Sequence, residues 1–175
     1  DLKSAGCRTL ALDVTDEESM RAGVAAVEEA EGSVGALVNN AGYSQSGAVE
    51  TIPMDELRRQ FETNVFGLVR MCQLVLPGMR KAGRGRIVNV SSMGGKLVFP
   101  GGGAYHGTKF AVEAISDAMR FEVGGFGVHV SIIEPGLIRT SFGETAVGSV
   151  PHQDGPYAEF NTAVAANTAR AYEGP

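Results

Sequence analysis

Arg86-Ile87-Val88-Asn89-Val90-Ser91-Ser92 decides the fold. Its first five residues read as one continuous strand rich in β-branched side chains, the pattern of a strand buried on both faces inside a parallel sheet. A glycine-rich loop follows to Gly103, and then helical periodicity runs over residues 104–123. Working backwards, Pro53 opens a long periodic segment over residues 53–79, a position that suits a first helical turn. The apolar run 35–38 ends in the turn Asn39-Asn40-Ala41-Gly42. Before it, residues 16–31 form an amphipathic helix with Thr15 as N-cap and Glu18 three residues on, and residues 7–13 read as a short buried strand. Forwards, residues 128–134 are the next strand, closed by Pro135-Gly136, and the remainder is loop with a helix near residues 157–172. Strands separated by helices of this length require right-handed crossovers. The expectation is one α/β domain, a doubly wound parallel sheet with helices on both faces. In such sheets ligands bind beyond the carboxyl ends of the strands, which directs attention to the segments after Asp13, Asn39, Val90 and Glu134.

Bulk properties narrow the function. The 175 residues are 43% hydrophobic with a net charge of -5 and a pI near 5.2, so no cationic footprint for nucleic acid or an anionic membrane is present. The basic run Arg80, Lys81, Arg84, Arg86 follows a helix, where cations complement the C-terminal dipole. Cys7 and Cys72 lie far apart in apolar patterns and suggest neither a disulfide framework nor a metal knuckle, which fits a reducing cytoplasm. No apolar run approaches the roughly 20 residues that span a bilayer. His106, His129 and His152 fall on a helix, a strand and a loop without ligand spacing, so no chemistry and no metal is assigned to them.

The chemistry-bearing residues cluster at the strand exits. Tyr105 and Lys109 are four apart at a helix start and share a face; an ammonium beside a phenol favours the phenolate and moves it toward a value useful for proton transfer. The same spacing occurs in ordinary surface pairs. Ser92 closes its strand thirteen residues before Tyr105 and serves either as a substrate-carbonyl donor or as a plain turn cap. Asn64 and Gly67 both disfavour the helix they sit in, a double cost that marks a functional bend or, for Asn64, a side chain turned to solvent. Asn40, Ala41 and Gly42 let backbone approach a flat ligand, or simply turn the chain. Asp13 either accepts from an adenine amino group or caps the next turn. Pro135-Gly136 with Ile138 and Thr140 makes a rigid strand exit carrying backbone and hydroxyl donors.

Taken in order, Asn39-Asn40-Ala41-Gly42, Asn64, Ile87 to Ser92, Tyr105-x-x-x-Lys109 and Pro135-Gly136 resemble the motif set of the classical short-chain dehydrogenases/reductases over residues 13–140. The resemblance implies a Rossmann-like three-layer α/β/α fold and a hydride exchange between NAD or NADP and an alcohol or ketone. By it Tyr105 gives or takes the proton, Lys109 lowers its pKa and holds the nicotinamide ribose, Ser92 orients the carbonyl, and Asn64 anchors a water relay to Lys109. Asp13, Val14, Asn40, Ala41 and Gly42 line the adenosine side, and Pro135, Gly136, Ile138 and Thr140 the nicotinamide side. The long helices at 53–79 and 104–123 resemble the family's faces for a homodimer or homotetramer.

The sequence departs from the pattern at its start. The glycine-rich pyrophosphate turn and the acid or base that separates NAD from NADP belong before residue 1, so the chain reads as a fragment that starts at the third strand and whose cofactor preference is open. With strands one and two absent, the isolated polypeptide is expected to be neither a stable nor an active monomer. Met93, Leu97, Val98, Phe99 and Phe142 suggest an apolar pocket wall and a bulky hydrophobic substrate, or else core and subunit contacts. Two rivals remain. A sugar-nucleotide epimerase shares Tyr-x-x-x-Lys but the Asn-Asn-Ala-Gly turn speaks against it; a cofactor-binding sensor without catalysis keeps the fold, against which stands the full set Asn64, Ser92, Tyr105 and Lys109.

Overall fold

The computed structural model describes residues 4–138, 140–151 and 154–173, so His152 lies outside the described residues. Three parallel strands, β1 (Ala36–Asn39), β2 (Gly85–Val90) and β3 (Val128–Ile133), form a sheet in the order β1-β2-β3. Asn39 faces Asn89 across the first ladder and Val90 faces Ile133 across the second, so the strand exits line up at one edge of the layer. The connections are helical: α1 (Glu17–Glu31) precedes β1; α2 (Met54–Phe61), a π turn (Glu62–Gly67) and α3 (Leu68–Ala82) join β1 to β2; α4 (Gly103–Val123) joins β2 to β3. This is the Rossmann-like parallel sheet with flanking helices that the alternation of periods implied.

Side-chain alternation along the strands shows how the layers pack. Ile87, Val128 and Val130 point to the helices and are buried with Cys72, Val75, Met79 and Val112 in one core. The neighbouring positions Val38, Arg86, His129 and Ser131 point the other way and are exposed. Among the described residues the helical cover of the sheet therefore lies on one face. A buried polar chain stitches that face together: the Asn39 amide donates to the Asn89 carbonyl oxygen at 2.9 Å, and the Asn89 amide to the Ser116 hydroxyl at 2.8 Å. Each of these groups is buried, so each needs its partner.

Four local readings change. Residues 7–13 form no strand, and Cys7, Leu10 and Leu12 are exposed, because no neighbouring strand in this chain offers them a ladder. The N-cap of α1 is Asp16, whose carboxylate accepts from the amides of Glu18 at 2.8 Å and Ser19 at 3.3 Å; Thr15 instead gives its amide and hydroxyl to Asp13. The helix from Pro53 is interrupted by the π turn that holds Asn64. Gly67 ends that turn where the backbone after Asp13 crosses: a Cβ there would stand 2.5 Å from the Val14 carbonyl oxygen, which explains a glycine in a helix. Finally, the stretch after Pro135 contains two helices, α5 (Ser141–Gly148) and α6 (Ala158–Glu173). α5 is capped by the Thr140 hydroxyl and broken in pattern by Gly143, whose missing side chain leaves room for the Tyr172 ring.

Candidate active site

Three strand exits and one helix start converge on a cavity of about 460 Å³. Asn40 and Gly42 after β1, Ser92 after β2, and Pro135, Gly136, Ile138 and Thr140 after β3 line it together with Tyr105 and Lys109 of α4. The turn of α4 that presents the last two is held from below. Tyr105 offers its carbonyl to the Thr108 hydroxyl at 2.7 Å, Thr108 accepts from the Asn64 amide at 3.1 Å, and Asn64 also donates to the Tyr43 carbonyl at 2.9 Å while its own oxygen accepts from the Tyr43 amide at 3.1 Å. Asn64 is thus buried, not solvent-facing, and it ties the π turn to the loop after β1 and to the first turn of α4. A Cβ at Gly42 would lie 3.1 Å from the Asn64 oxygen and 3.8 Å from the Lys109 ammonium, so glycine here lets the turn close over both.

Lys109 is buried and donates to the carbonyl of Val90 at 2.8 Å; its nitrogen stands 5.6 Å from the Tyr105 ring centre. Burial pushes the ammonium down to about 8, with the Glu113 charge opposing. Tyr105 moves upward, because burial disfavours the phenolate; its hydrogen bond with Ser92 pulls the other way and Tyr172 adds to the rise. Burial thus sets the direction of the shift at Tyr105. Ser92 caps the turn, its hydroxyl accepting from the Gly94 amide at 3.0 Å, and lies with Tyr105 on the cavity wall.

A second cavity, about 380 Å³ and mainly apolar, lies on the other side of Ser92 and Tyr105, enclosed by Met93, Phe99, Leu137, Phe142 and the inner face of α6. Ser92, Tyr105, Phe142 and Tyr172 belong to both walls. The two chambers therefore meet at the hydroxyl pair.

Other predicted residues lie elsewhere. The Asp13 carboxylate is exposed and turned to its own Thr15, whose bonds hold it below the usual carboxylate value. Val14 packs against the core, and Ala41 is exposed beside the cavity rather than on its wall.

Two groups that motif reasoning did not single out support the site. His106, read as inert, is buried next to Tyr105; Nδ1 lies 2.9 Å from the Gly94 carbonyl and Nε2 accepts from the Phe99 amide at 3.2 Å. These partners fix the neutral ring with its proton on Nδ1, and the ring fills the space where Cβ atoms at Gly94 and Gly102 would sit. The loop that carries Met93 and Phe99 is clamped to α4 through it. Lys96 reaches from the same loop to Glu113 of α4 at 2.9 Å and to Glu134 at 3.5 Å, so the loop, the helix and the β3 exit share one cation. The glycines around His106 were visible in the sequence, but their relation to it is set only by the fold.

The sequence profile described as short chain dehydrogenase matches residues 2–148. This chain belongs to that family. Among curated relatives of the short-chain dehydrogenase, 3-ketodihydrosphingosine reductase of Bacteroides thetaiotaomicron is 40% identical over 153 residues, covering 87% of this chain and 57% of the relative. A solved short-chain dehydrogenase from Streptomyces avermitilis is 41% identical with a TM-score of 0.77, covering 94% of this chain and 63% of that one. The solved structure of a Tyr-to-Phe variant of ElxO with NADPH bound is 31% identical, with a TM-score of 0.72, covering 79% of this chain and 55% of the other. The chain spans about half the length of the curated relatives it matches. Among the described residues no group of His, Cys, Asp and Glu could hold a metal ion, and no helix is long and apolar enough to cross a membrane.

Proposed function

We propose that the protein containing this chain transfers hydride between NAD or NADP and the carbon of an alcohol or ketone, with Tyr105 exchanging the proton. The observation that carries this reading is the position of Ser92 and Tyr105 on the shared wall of a polar and an apolar chamber. When bound, the nicotinamide supplies or receives the hydride. The polar chamber suits it: Gly42 and Gly136 allow close approach, and Lys109, Tyr105 and Thr140 offer donors for ribose and amide. The presence of NADPH in ElxO supports the cofactor class. Ser92 then orients the substrate oxygen, and Tyr105 moves the proton. Its raised pKa keeps the phenol protonated at neutral pH, which favours its work as an acid in carbonyl reduction. Lys109 acts from one turn away, and Asn64 holds the turn that carries both. Asp13, Val14, Asn40, Ala41 and Gly42 are assigned the adenosine side on the motif resemblance.

The remaining assignments follow the same reading. The chain forms one partial domain in a cytoplasmic enzyme, where Cys7 and Cys72 stay as thiols. Exposed Phe66, Phe110 and Phe121 on the helices after Pro53 and on α4 support self-association. The apolar chamber and the name of the 40% relative both favour a hydrophobic ketone.

The deciding measurement follows reduced-nicotinamide absorbance in the full-length protein with either cofactor and a panel of alcohols and ketones, beside Tyr105→Phe. Loss of kcat by about 10²-fold or more with cofactor binding retained is expected. Cofactor binding without turnover in the wild type would instead identify a sensor on the same fold.

A further inference from the structure

We propose that the groove between the Val98–Gly101 loop and the first turns of α6 is a tail subsite, which takes the uncharged hydrocarbon chain of a long-chain ketone or alcohol whose oxygen sits at Tyr105. This rests on the dehydrogenase reading above and names the substrate class of the same site.

The argument starts from continuity. The apolar chamber at Ser92 and Tyr105 is bounded at its far end by Phe99, Gly101 and Phe160, and the same three residues open a second apolar space of about 330 Å³ that reaches the surface at Val49 and Val98. Reacting centre, chamber and groove form one sequence of walls. Gly101 belongs to both walls and packs on Val164: a Cβ there would come within 2.5 Å of a Val164 methyl, and its φ of +75° excludes most side chains.

Charge supplies the second step. Among the described residues no Asp, Glu, Lys or Arg lines either space. His106 lies on the chamber wall, and both of its ring nitrogens are taken by backbone partners. Ser44, Ser46, Asn167 and Thr168 give the inner chamber some polar wall; in the outer groove the polar side chain is Tyr157, whose hydroxyl donates to Glu50 at 2.8 Å. In the outer groove a polyol, a phosphorylated substrate or an anionic carrier would meet the Tyr157 hydroxyl and otherwise apolar walls, whereas a hydrocarbon chain loses nothing there by leaving water.

Exposure supplies the third. Val49 and Val98 are 72% and 66% exposed, and Phe99 and Phe160 are 48% and 39% exposed, although they sit beside one another at the opening. Clustered apolar side chains at the mouth of a cavity mark a binding surface more often than scattered ones do. Covering them with an alkyl chain gives each added methylene up to about fourfold in kcat/KM, the equivalent of about 0.8 kcal/mol.

The test uses the full-length protein with its preferred cofactor and a series of 2-alkanones of about four to about twelve carbons, chosen so that only the longer members extend past Gly101. In the wild type kcat/KM is expected to climb with chain length, and Val98→Glu, which puts a charge on an exposed wall position, should lower the ratio of long-chain to short-chain kcat/KM at least about tenfold. A flat length dependence, or an equal slope in both proteins, overturns the tail subsite while turnover itself leaves the dehydrogenase reading standing. If no alkanone is turned over at all, calorimetric titration with dodecanol decides the groove separately: binding weakened by Val98→Glu supports it, and absent or unchanged binding overturns it.

Discussion

β2 and residues 7–13 are both short and largely apolar, and both lead into a polar residue at the head of a helical connection. β2 has a parallel partner on each side, Ile87 is fully buried, and its exit delivers Ser92 to the site. Residues 7–13 have no ladder, Leu10 is 58% exposed, and Asp13 caps its own turn. The difference is one of neighbours rather than of composition. A strand is stabilised by pairs across its edges, and side chains that suit a strand do not supply them.

The widest separation between the two regions should appear on truncating one apolar side chain in each. Ile87→Ala removes buried methyl groups from a core shared by α3 and α4, and is expected to cost about 2–5 kcal/mol in a urea or thermal unfolding experiment. Where the 175-residue chain unfolds cooperatively, Leu10→Ala should change its stability by less than about 0.5 kcal/mol. A large loss at Leu10 would mean that residues 7–13 find a partner after all, for instance by pairing between two copies, and the contrast would collapse.

What was legible in the sequence follows the same division. β2, α4 and the strand exits could be read because their signals are local: β-branched runs, glycine turns, and a Tyr and Lys one helical turn apart. The π turn was announced by the poor helix formers Asn64 and Gly67, though not the reason for the glycine, which is the crossing of the backbone at Val14. Residues 7–13 misled because a run that suits a strand says nothing about the presence of its neighbours. α5 escaped because Gly143 and Gly148 weaken its pattern, and only the packing of Tyr172 explains the first of them. His106 showed no motif, since its partners are backbone groups of a loop brought close by the fold. For Tyr105, too, spacing reveals Lys109 as a neighbour but not the burial, which is the largest influence on the phenol.

Charge sharpens the comparison next. Burial holds Lys109 at about 8, below the ordinary lysine value of 10.5. Between those values the unfolded chain binds more protons than the folded one, so stability rises with pH across that window, and the cost of burying the charged form is fully present below it. Lys109→Met removes that cost. Its gain over the wild type should be greatest below about pH 8, with a ceiling of about 3 kcal/mol, and should shrink toward pH 10.5. Asp13 behaves oppositely: its lowered value adds stability above the ordinary carboxylate range that is lost as pH falls, and its full exposure keeps the effect small. Denaturant midpoints measured from about pH 2 to about 11 check both signs. A Lys109→Met gain that is constant across that range would show that the ammonium is not penalised in the folded protein.

The finest distinction lies at the joint between the two regions, where the exposed segment becomes α1. Thr15 and Asp16 are adjacent, and either is a plausible cap by residue type. The Asp16 carboxylate takes two amides at the start of α1, whereas Thr15 spends both of its donors on Asp13 before the helix begins. Asp16→Ala should therefore cost about 1 kcal/mol of stability, since it frees two amide donors and removes a negative charge from the helix N-terminus. Thr15→Val keeps the shape and loses only the hydroxyl bond, and should stay within about 0.5 kcal/mol. A double change would then equal Asp16→Ala alone. If Thr15→Val proved the more damaging of the two, the turn at Asp13 would be what starts α1, and residues 7–13 would be part of the packed region rather than a segment beside it.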